Sequence, residues 1–320
     1  MELVQSETTR RKYVPSDKHG MYVVTGASGN CGHVVAEHLL SRGKRVRAIG
    51  RGEERLKALV SRGAEPFICD LADREALGKA FAGADGVFVM VPPKMDAEDY
   101  RLHQDHIVAA LEAALEEANV KHVVTLSSVG ADKGAKTGPI VGLHRLEQAL
   151  DRIPGLNVLH LRAGLFMENL LAQIGVIKTL GVVADTLRGE LEIPMIATRD
   201  IGEFAAQRLA RLDFTGAQTR ELLGERDISM AEAAGIIGRA IGRPHLSYSR
   251  MANDVFRAAL IQMGVSANTA DLVIEMSEAM NAGHVGPLDK RTRENSTPTS
   301  FETFVKEQFA PRFLGKPATA

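Results

Sequence analysis

Three glycines in the segment "TGASGNCG" have the spacing of a phosphate-binding turn. Gly26, Gly29 and Gly32 follow the apolar run "MYVV" and precede the helix-like stretch "CGHVVAEHLLSRG". The first glycine permits a tight turn, the second lets backbone N–H groups approach a pyrophosphate, and the third lets the helix pack against the strand. The helix N-terminus adds partial positive charge. The segment therefore predicts a dinucleotide site, and the alternative is a glycine-rich turn without a ligand.

The residue after the second apolar run, "RVRAIG", indicates which dinucleotide this is. Sites for NAD place an acidic residue there, about twenty positions after the turn, on the ribose hydroxyls. This chain has Arg51, whose guanidinium suits a 2′-phosphate. Glu53 and Glu54 follow, but we place them in the first turn of the next helix, where negative charge is favourable. The sequence predicts NADP(H) in preference to NAD(H), and the alternative is an exposed arginine without a ligand.

One cysteine and one pair of histidines are further candidates for reactive side chains. Cys31 lies in the glycine turn at a helix N-terminus, a position that lowers a thiol pKa and would permit redox control; the alternative is an inert side chain packed under the loop. His103 and His106 are three residues apart in "HQDHIVAAL", which has the pattern of an ordinary amphipathic helix with no third ligand. We therefore predict no metal site.

Short apolar runs alternate with helix-like stretches from Met21 to Arg162, which predicts an α/β fold with a doubly wound parallel sheet. Ligands bind such sheets at the edge where the strand C-termini meet. After Arg162 the pattern becomes mixed and predicts a smaller C-terminal α/β lobe. We expect a flexible arm over 1–20, a dinucleotide-binding domain over 21–165, and a substrate lobe over 166–320, of which about 196–213 returns to the core.

Within the second half, "ELLGERDISMAEAAGIIGRAIGRPHLSY" predicts a strand, a helix capped by Ser229 and a short strand, and two helices are expected at about 251–263 and 267–281. The methionines of this half are candidates to line an apolar pocket, although methionine at helical spacing is also ordinary core. They are Met251, Met263, Met276 and Met280.

Composition argues against several classes of partner. The 320 residues include 39 basic and 40 acidic side chains, no Trp and 5% aromatic residues, so neither a nucleic-acid surface nor binding to an anionic membrane is expected. No apolar run approaches the ~20 residues that span a bilayer. The first twenty residues lack the apolar stretch of a signal peptide, and two cysteines cannot form a disulfide framework. We expect a cytoplasmic protein.

Taken in order, the motifs resemble those of the NmrA-like family of atypical short-chain dehydrogenase/reductases. They are "TGASGNCG", "GR" after the second strand, "CDLAD", "VPP", "LSSVGA", "LRAGLFMEN", "RDIGEFAA" and "GIIGRAIGRP". The resemblance covers about residues 21 to 310. It implies a Rossmann fold with a small C-terminal lobe and a preference for NADP(H).

The resemblance also implies a role for each matching residue. The pyrophosphate would contact Gly26, Ser28, Gly29, Asn30 and Cys31, with Gly32 completing the turn, and Arg51 would meet the 2′-phosphate. Asp70 and Leu71 would flank the adenine, and Val91 and Pro92 would border the ribose. Ser127 and Ser128 would lie near the nicotinamide, with Ala163, Gly164 and Phe166 on its far side.

The chain departs from the wider superfamily at the catalytic positions. Standard members use Ser and then Tyr-x-x-x-Lys, whose Tyr protonates a carbonyl oxygen. The same spacing from Ser127 reaches Ile140 and His144, and no Tyr occurs between Tyr100 and Tyr248. We predict a reductase of small apolar acceptors that need little acid help, such as quinones, azo dyes and cationic triarylmethanes. The alternative is a regulator that senses NADP(H) without turnover and acts on a protein partner.

Ser127 and His144 are the remaining catalytic candidates, each expected to supply at most one hydrogen bond. His144 would replace the Lys at the ribose or donate a proton to the product. It is one helical turn from Glu147, so the two side chains are able to meet. The alternative is a solvated His–Glu pair.

Overall fold

The structure is a computed structural model that describes residues 20–316. Apart from Gly20, the predicted arm lies outside this range. The strands are β1 Met21–Val24, β2 Arg45–Gly50, β3 Glu65–Ile68, β4 Ala84–Val89, β5 His122–Ser128, β6 Asn157–Ala163, β7 Leu165–Phe166, β8 Val183–Asp185, β9 Ile193–Ile196, β10 Ala217–Leu222, β11 Asp227–Ile228 and β12 Tyr248–Arg250.

The α-helices are α1 Asn30–Ser41, α2 Lys57–Val60, α3 Arg74–Phe81, α4 Tyr100–Glu117, α5 Ile140–Asp151, α6 Gln173–Leu180, α7 Thr198–Arg211, α8 Met230–Ala240, α9 Asn253–Gln262, α10 Ala267–Asn281, α11 Phe301–Phe304 and α12 Ala310–Phe313. Two 3₁₀ turns, Glu53–Leu56 and Met167–Ala172, and one π turn, Val305–Phe309, complete the described elements.

Seven parallel strands form the central sheet, in the order β3–β2–β1–β4–β5–β6–β10. This arrangement confirms the doubly wound Rossmann sheet. Strands β2 and β3 lie on one side of β1, and the chain then crosses to place β4 on the other side. This switch point opens a crevice between the C-terminal ends of β1 and β4. The strands are apolar along their length because helices cover both faces: α1, α2 and α7 on one side, and α3, α4 and α5 on the other.

The position of β10, the edge strand of the central sheet, differs from expectation. The strand predicted near Glu221 is β10, which pairs in parallel with β6 and belongs to the central sheet rather than to the smaller lobe. The sequence analysis expected only residues 196–213 to return to the core of the large domain. That segment contains α7, and β10 follows it. As an edge strand it exposes the first half of its sequence "AQTREL", so it lacks the continuous apolar pattern of the buried strands.

The smaller lobe has its own core, built on a three-stranded sheet in the order β11–β9–β7 and on helices that include α8 and α11. Ser229 accepts a hydrogen bond from the Glu232 N–H at 3.2 Å, which confirms the predicted cap of α8. Helices α9 and α10 lie where the sequence predicts them. Between residues 20 and 316, no helix is long and apolar enough to cross a membrane.

Candidate active site

The glycine turn has the geometry that a pyrophosphate requires. Gly26 has a φ of +61°, which favours glycine, and its carbonyl accepts the Gly29 N–H at 2.9 Å. A Cβ on Gly32 would lie 2.3 Å from that carbonyl oxygen, so any side chain there would force α1 away from β1. The turn therefore leaves the N-terminus of α1 open to an anion.

A cleft of about 270 Å³ lies beside this turn, and we call it the basic cleft. Seven of the predicted cofactor residues line it: Gly26, Ser28, Gly29, Arg51, Asp70, Leu71 and Pro92. Arg55, Lys94 and His103 line it as well, although the sequence analysis gave them no such role. The signals were present, because Arg55 is four residues beyond Arg51 and Lys94 is two residues beyond the expected ribose contact Pro92.

The cations of the basic cleft have no acidic partner. Within the described part of the chain, Arg51, Arg55 and Lys94 form no salt bridge. The pKa of His103 is lowered by partial burial and by Lys94, with smaller effects from His106 and Arg51, while Asp70 opposes the shift. Burial is the largest cause of this shift, and the contribution of Lys94 shows that this cation lies close enough to His103 to disfavour a second positive charge.

Cys31 does not behave as its place in the turn predicts. Its side chain is 6% exposed and packs in the core with Val35 and Leu39. Burial raises the pKa of the thiol well above its usual value, and the nearby Glu168 carboxylate adds to the shift. Desolvation outweighs the helix N-terminus, which favours the second interpretation, an inert side chain packed under the loop, over redox control.

A second cleft, of about 250 Å³, lies between the two lobes, and we call it the apolar cleft. Ser128, Ala163 and Gly164 line it from the ends of β5 and β6, and Met276 and Met280 line it from α10. Met251 and Met263 line neither cleft. Ile140 also forms part of the wall, so the position that aligns with the superfamily Tyr presents a hydrocarbon side chain.

Ser127 and His144 face away from the apolar cleft. Ser127 is buried and its hydroxyl donates to the Glu147 carboxylate at 2.6 Å, while Arg162 binds the same carboxylate through two N–H groups at 3.0 and 2.6 Å. The hydrogen bond to Glu147 is the main cause of the raised pKa of Arg162. His144 lies with Nδ1 2.8 Å from the Ala131 carbonyl, so its N–H donates there. The expected contact between His144 and Glu147 is replaced by these separate bonds.

The other predicted residues have varied surroundings. Asn30 lines a third cleft of about 320 Å³, shared with Ser28 and Gly29, on the side of the turn that faces the C-terminal helices. Val91 is buried and Phe166 is half-buried against the core, and neither lines these clefts. Residues 20–316 contain no group of three His, Cys, Asp or Glu side chains placed to hold a metal ion.

The fold and motifs agree with comparisons to known proteins. A model of the NmrA-like family matches residues 18–305. The NAD(P)H azoreductase of Xenophilus azovorans is 28% identical over 294 residues, which cover 91% of this chain and 98% of the azoreductase.

Two solved structures show the same fold. The Escherichia coli NADPH-dependent quinone oxidoreductase, complexed with NADPH, superposes with a TM-score of 0.69 at 22% identity, covering 94% of this chain and 96% of that one. Nmra, a negative transcriptional regulator in complex with NAD, gives a TM-score of 0.67 at 14% identity, with 92% and 97% covered. From the family match over nearly its whole length, the chain belongs to the NmrA-like family.

Proposed function

We propose that this protein is an NADPH-dependent reductase that transfers hydride to a conjugated, apolar acceptor without a Tyr–Lys pair. The observation that carries the proposal is the pairing of two clefts at one sheet edge: a basic cleft beside the glycine turn, and an apolar cleft whose wall has Ile140 where an acid would stand. The similar proteins named as an azoreductase and a quinone oxidoreductase support this substrate class.

The residues of the basic cleft would bind the cofactor, and those of the apolar cleft would bind the acceptor. The glycine turn holds the pyrophosphate, and Arg51, Arg55 and Lys94 hold the 2′-phosphate. A bound NADPH supplies the hydride. Ala163 and Gly164 border the nicotinamide side of the apolar cleft, and the α10 methionines cover the acceptor and exclude water.

The absence of a strong proton donor decides which acceptors react. An aliphatic ketone develops an alkoxide, which needs a donor aimed at it. Quinones and dyes spread the incoming charge over a conjugated system, so they are able to accept hydride without such a donor. Ser128 lines the cleft, whereas Ser127 and His144 do not. Its hydroxyl donates to the Val129 carbonyl at 2.9 Å. We assign to Ser128, once its hydroxyl rotates away from that carbonyl, the single hydrogen bond that the sequence led us to expect from Ser127 or His144.

Stereospecifically deuterated NADPH tests the proposal directly. Deuterium should pass to a quinone or dye and should pass far more slowly to an aliphatic ketone. His144→Ala should slow transfer by less than the roughly 10²–10⁴-fold typical of losing a general acid. Tight NADPH binding with no deuterium loss to any acceptor would instead favour a redox-sensing regulator, the alternative that the structural likeness to Nmra keeps open.

A further inference from the structure

The wall of the apolar cleft carries one charge. Among the described residues that line it, Glu192 alone has an ionisable side chain. Glu192 is exposed and forms no salt bridge with another described residue, and the neighbouring Arg188 lies 3.8 Å from Glu190 instead. A lone carboxylate beside apolar walls gives the cleft a negative potential, because no positive group lines it to cancel the charge.

We infer that Glu192 makes the cleft select conjugated acceptors that carry a positive charge, an inference that rests on the proposed function. A cationic acceptor gains attraction to the carboxylate on binding, and an anionic acceptor of the same shape is repelled. The apolar walls bind both through their hydrocarbon surface. The sign of the acceptor's charge is therefore what Glu192 distinguishes.

Proton balance supports the same class of acceptor. Reduction of a monocation breaks a C–H bond of the dihydronicotinamide and forms a C–H bond on the acceptor carbon, with both electrons moving in the hydride. The positive charge passes to the nicotinamide and the acceptor leaves as a neutral molecule, so no proton is needed. A neutral quinone instead becomes an anion that must take a proton from water. Since no Tyr, Lys or His of the described chain lines the cleft, the cation is the acceptor that it reduces without further help.

Throughout that step the cleft contains the same total charge. Glu192 faces one positive charge before transfer, on the acceptor, and one after it, on the nicotinamide. The carboxylate therefore stabilises bound reactants and bound products alike. Its effect should fall on the binding of the acceptor more than on the rate of transfer.

Equilibrium binding measures this selectivity without turnover. A triarylmethane monocation and its sulfonated, net-anionic analogue are titrated by visible absorbance at low ionic strength, with the enzyme saturated by a 1,4,5,6-tetrahydronicotinamide analogue of NADPH, whose ring is neutral and has no hydride to give. Glu192→Gln should weaken binding of the cation by roughly two- to fivefold, the range expected for an exposed charge pair, and should tighten binding of the anion. Glu190→Gln is the matched control, because Glu190 is exposed nearby and lines no part of the cleft, and it should leave both affinities unchanged.

Each outcome bears on the assignment. Loss of the cation preference at high salt in the parent protein supports it, because exposed charges are screened. Equal effects of Glu192→Gln on both dyes, equal effects of Glu190→Gln, or failure of the parent to bind the cation would overturn it. Charge-selective binding without hydride transfer would contradict only the proposed function, and hydride transfer without charge selectivity would contradict only the role of Glu192.

Discussion

Unpaired positive charge is the feature of the basic cleft most relevant to its ligand. Arg51, Arg55 and Lys94 have no acidic partner in the described chain, so they hold their charge at the cost of mutual repulsion. A dianionic phosphate placed among them relieves that repulsion and accepts charge-assisted hydrogen bonds. NAD(H) lacks this phosphate and leaves the repulsion in place. This difference is the physical basis of the preference for NADP(H) that we propose.

Arg51→Ala should remove most of the preference for NADPH over NADH. We expect the parent to favour NADPH by on the order of 1–3 kcal/mol, because a hydrogen bond to a charged group is worth about that much. Titration calorimetry with both nucleotides measures the difference. Arg45→Ala is the control, since Arg45 is exposed at the opposite end of β2. Equal affinities for NADPH and NADH in the parent protein would contradict the assignment.

The sequence did not predict which of the two serines at the end of β5 faces the apolar cleft. The spacing in "LSSVG" placed both serines near the cleft, but alternate residues of a strand point to opposite faces, and the buried pair Glu147 and Arg162 draws Ser127 inward. The backbone roles of Gly26 and Gly32 followed from their spacing, because they depend on the absence of a side chain. The sequence left both interpretations of the Cys31 thiol open because its burial depends on residues that are distant in the chain.

At the level of elements, the first turn of α7 connects the two lobes. Glu168, in the 3₁₀ turn of the smaller lobe, accepts the Thr198 N–H at 3.0 Å and its hydroxyl at 2.7 Å, which satisfies one of the free N–H groups at the start of α7. Asp200, two residues further along the same turn, accepts the Thr299 N–H and hydroxyl at 2.9 and 2.6 Å. Helix α7 also packs closely on α1, where a Cβ on Gly202 would lie 2.6 Å from that of Val34. Movement of this turn would therefore disturb both lobes.

Glu168→Gln should leave the protein at least as stable at pH 7 and should remove part of its pH dependence. Burial raises the pKa of Glu168, and Asp200 adds to the shift, while the bonds from Thr198 oppose it. The folded state therefore binds this proton more readily than the unfolded state does. The resulting stability is present below the unfolded pKa of 4.5 and is lost as the pH rises through the raised value.

Urea unfolding at pH values from 4 to 8 measures this contribution. The glutamine keeps an oxygen to accept both bonds from Thr198 and carries no charge to bury. Glu168→Ala is the comparison, and it should cost about 1–3 kcal/mol because the Thr198 N–H loses its partner. If Glu168→Gln is as destabilising as Glu168→Ala at pH 7, the carboxylate is bound in its charged form and our assignment of the shift is wrong.

The sequence predicted the long buried strands of the central sheet better than the exposed or short strands. Strands β1, β2, β4, β5 and β6 read as apolar runs because both faces are covered. The edge strand β10 carries no such pattern because its first half is exposed. The strands of the smaller lobe have only two to four residues, which is too short for a pattern to show even where the strand is buried, as β9 is. Their pairing is set by contacts far apart in the chain, such as β10 with β6, which periodicity alone does not contain.

At the scale of the whole molecule, the two clefts differ in whether one lobe or both lobes supply their lining residues. The basic cleft is lined only by residues 26–107 of the large lobe. The apolar cleft also takes part of its wall from α10 and from Val285 and Pro287 in the segment that follows it. Buried Glu221, at the end of β10, fixes this segment by accepting the N–H groups of Leu288 and Asp289 at 3.0 and 2.9 Å. A ligand that reaches both clefts should therefore couple the lobes, and one confined to the basic cleft should not.

Hydrogen exchange with two ligands of different length tests this coupling. Adenosine 2′,5′-bisphosphate carries the adenosine, the 2′-phosphate and one 5′-phosphate but no nicotinamide half, so it should slow exchange only around the glycine turn and residues 49–55, 69–71 and 90–94. NADP⁺ should slow exchange there and also around 163–166 and 276–288, where the apolar cleft is built. At 100 times the dissociation constant, binding stabilises the closed state by about 2.7 kcal/mol, which slows exchange by up to roughly 100-fold wherever opening requires release of the ligand. Equal protection of residues 276–288 by the short ligand would show that the basic cleft communicates with the smaller lobe by itself, and that occupation of the apolar cleft is not what holds the lobes together.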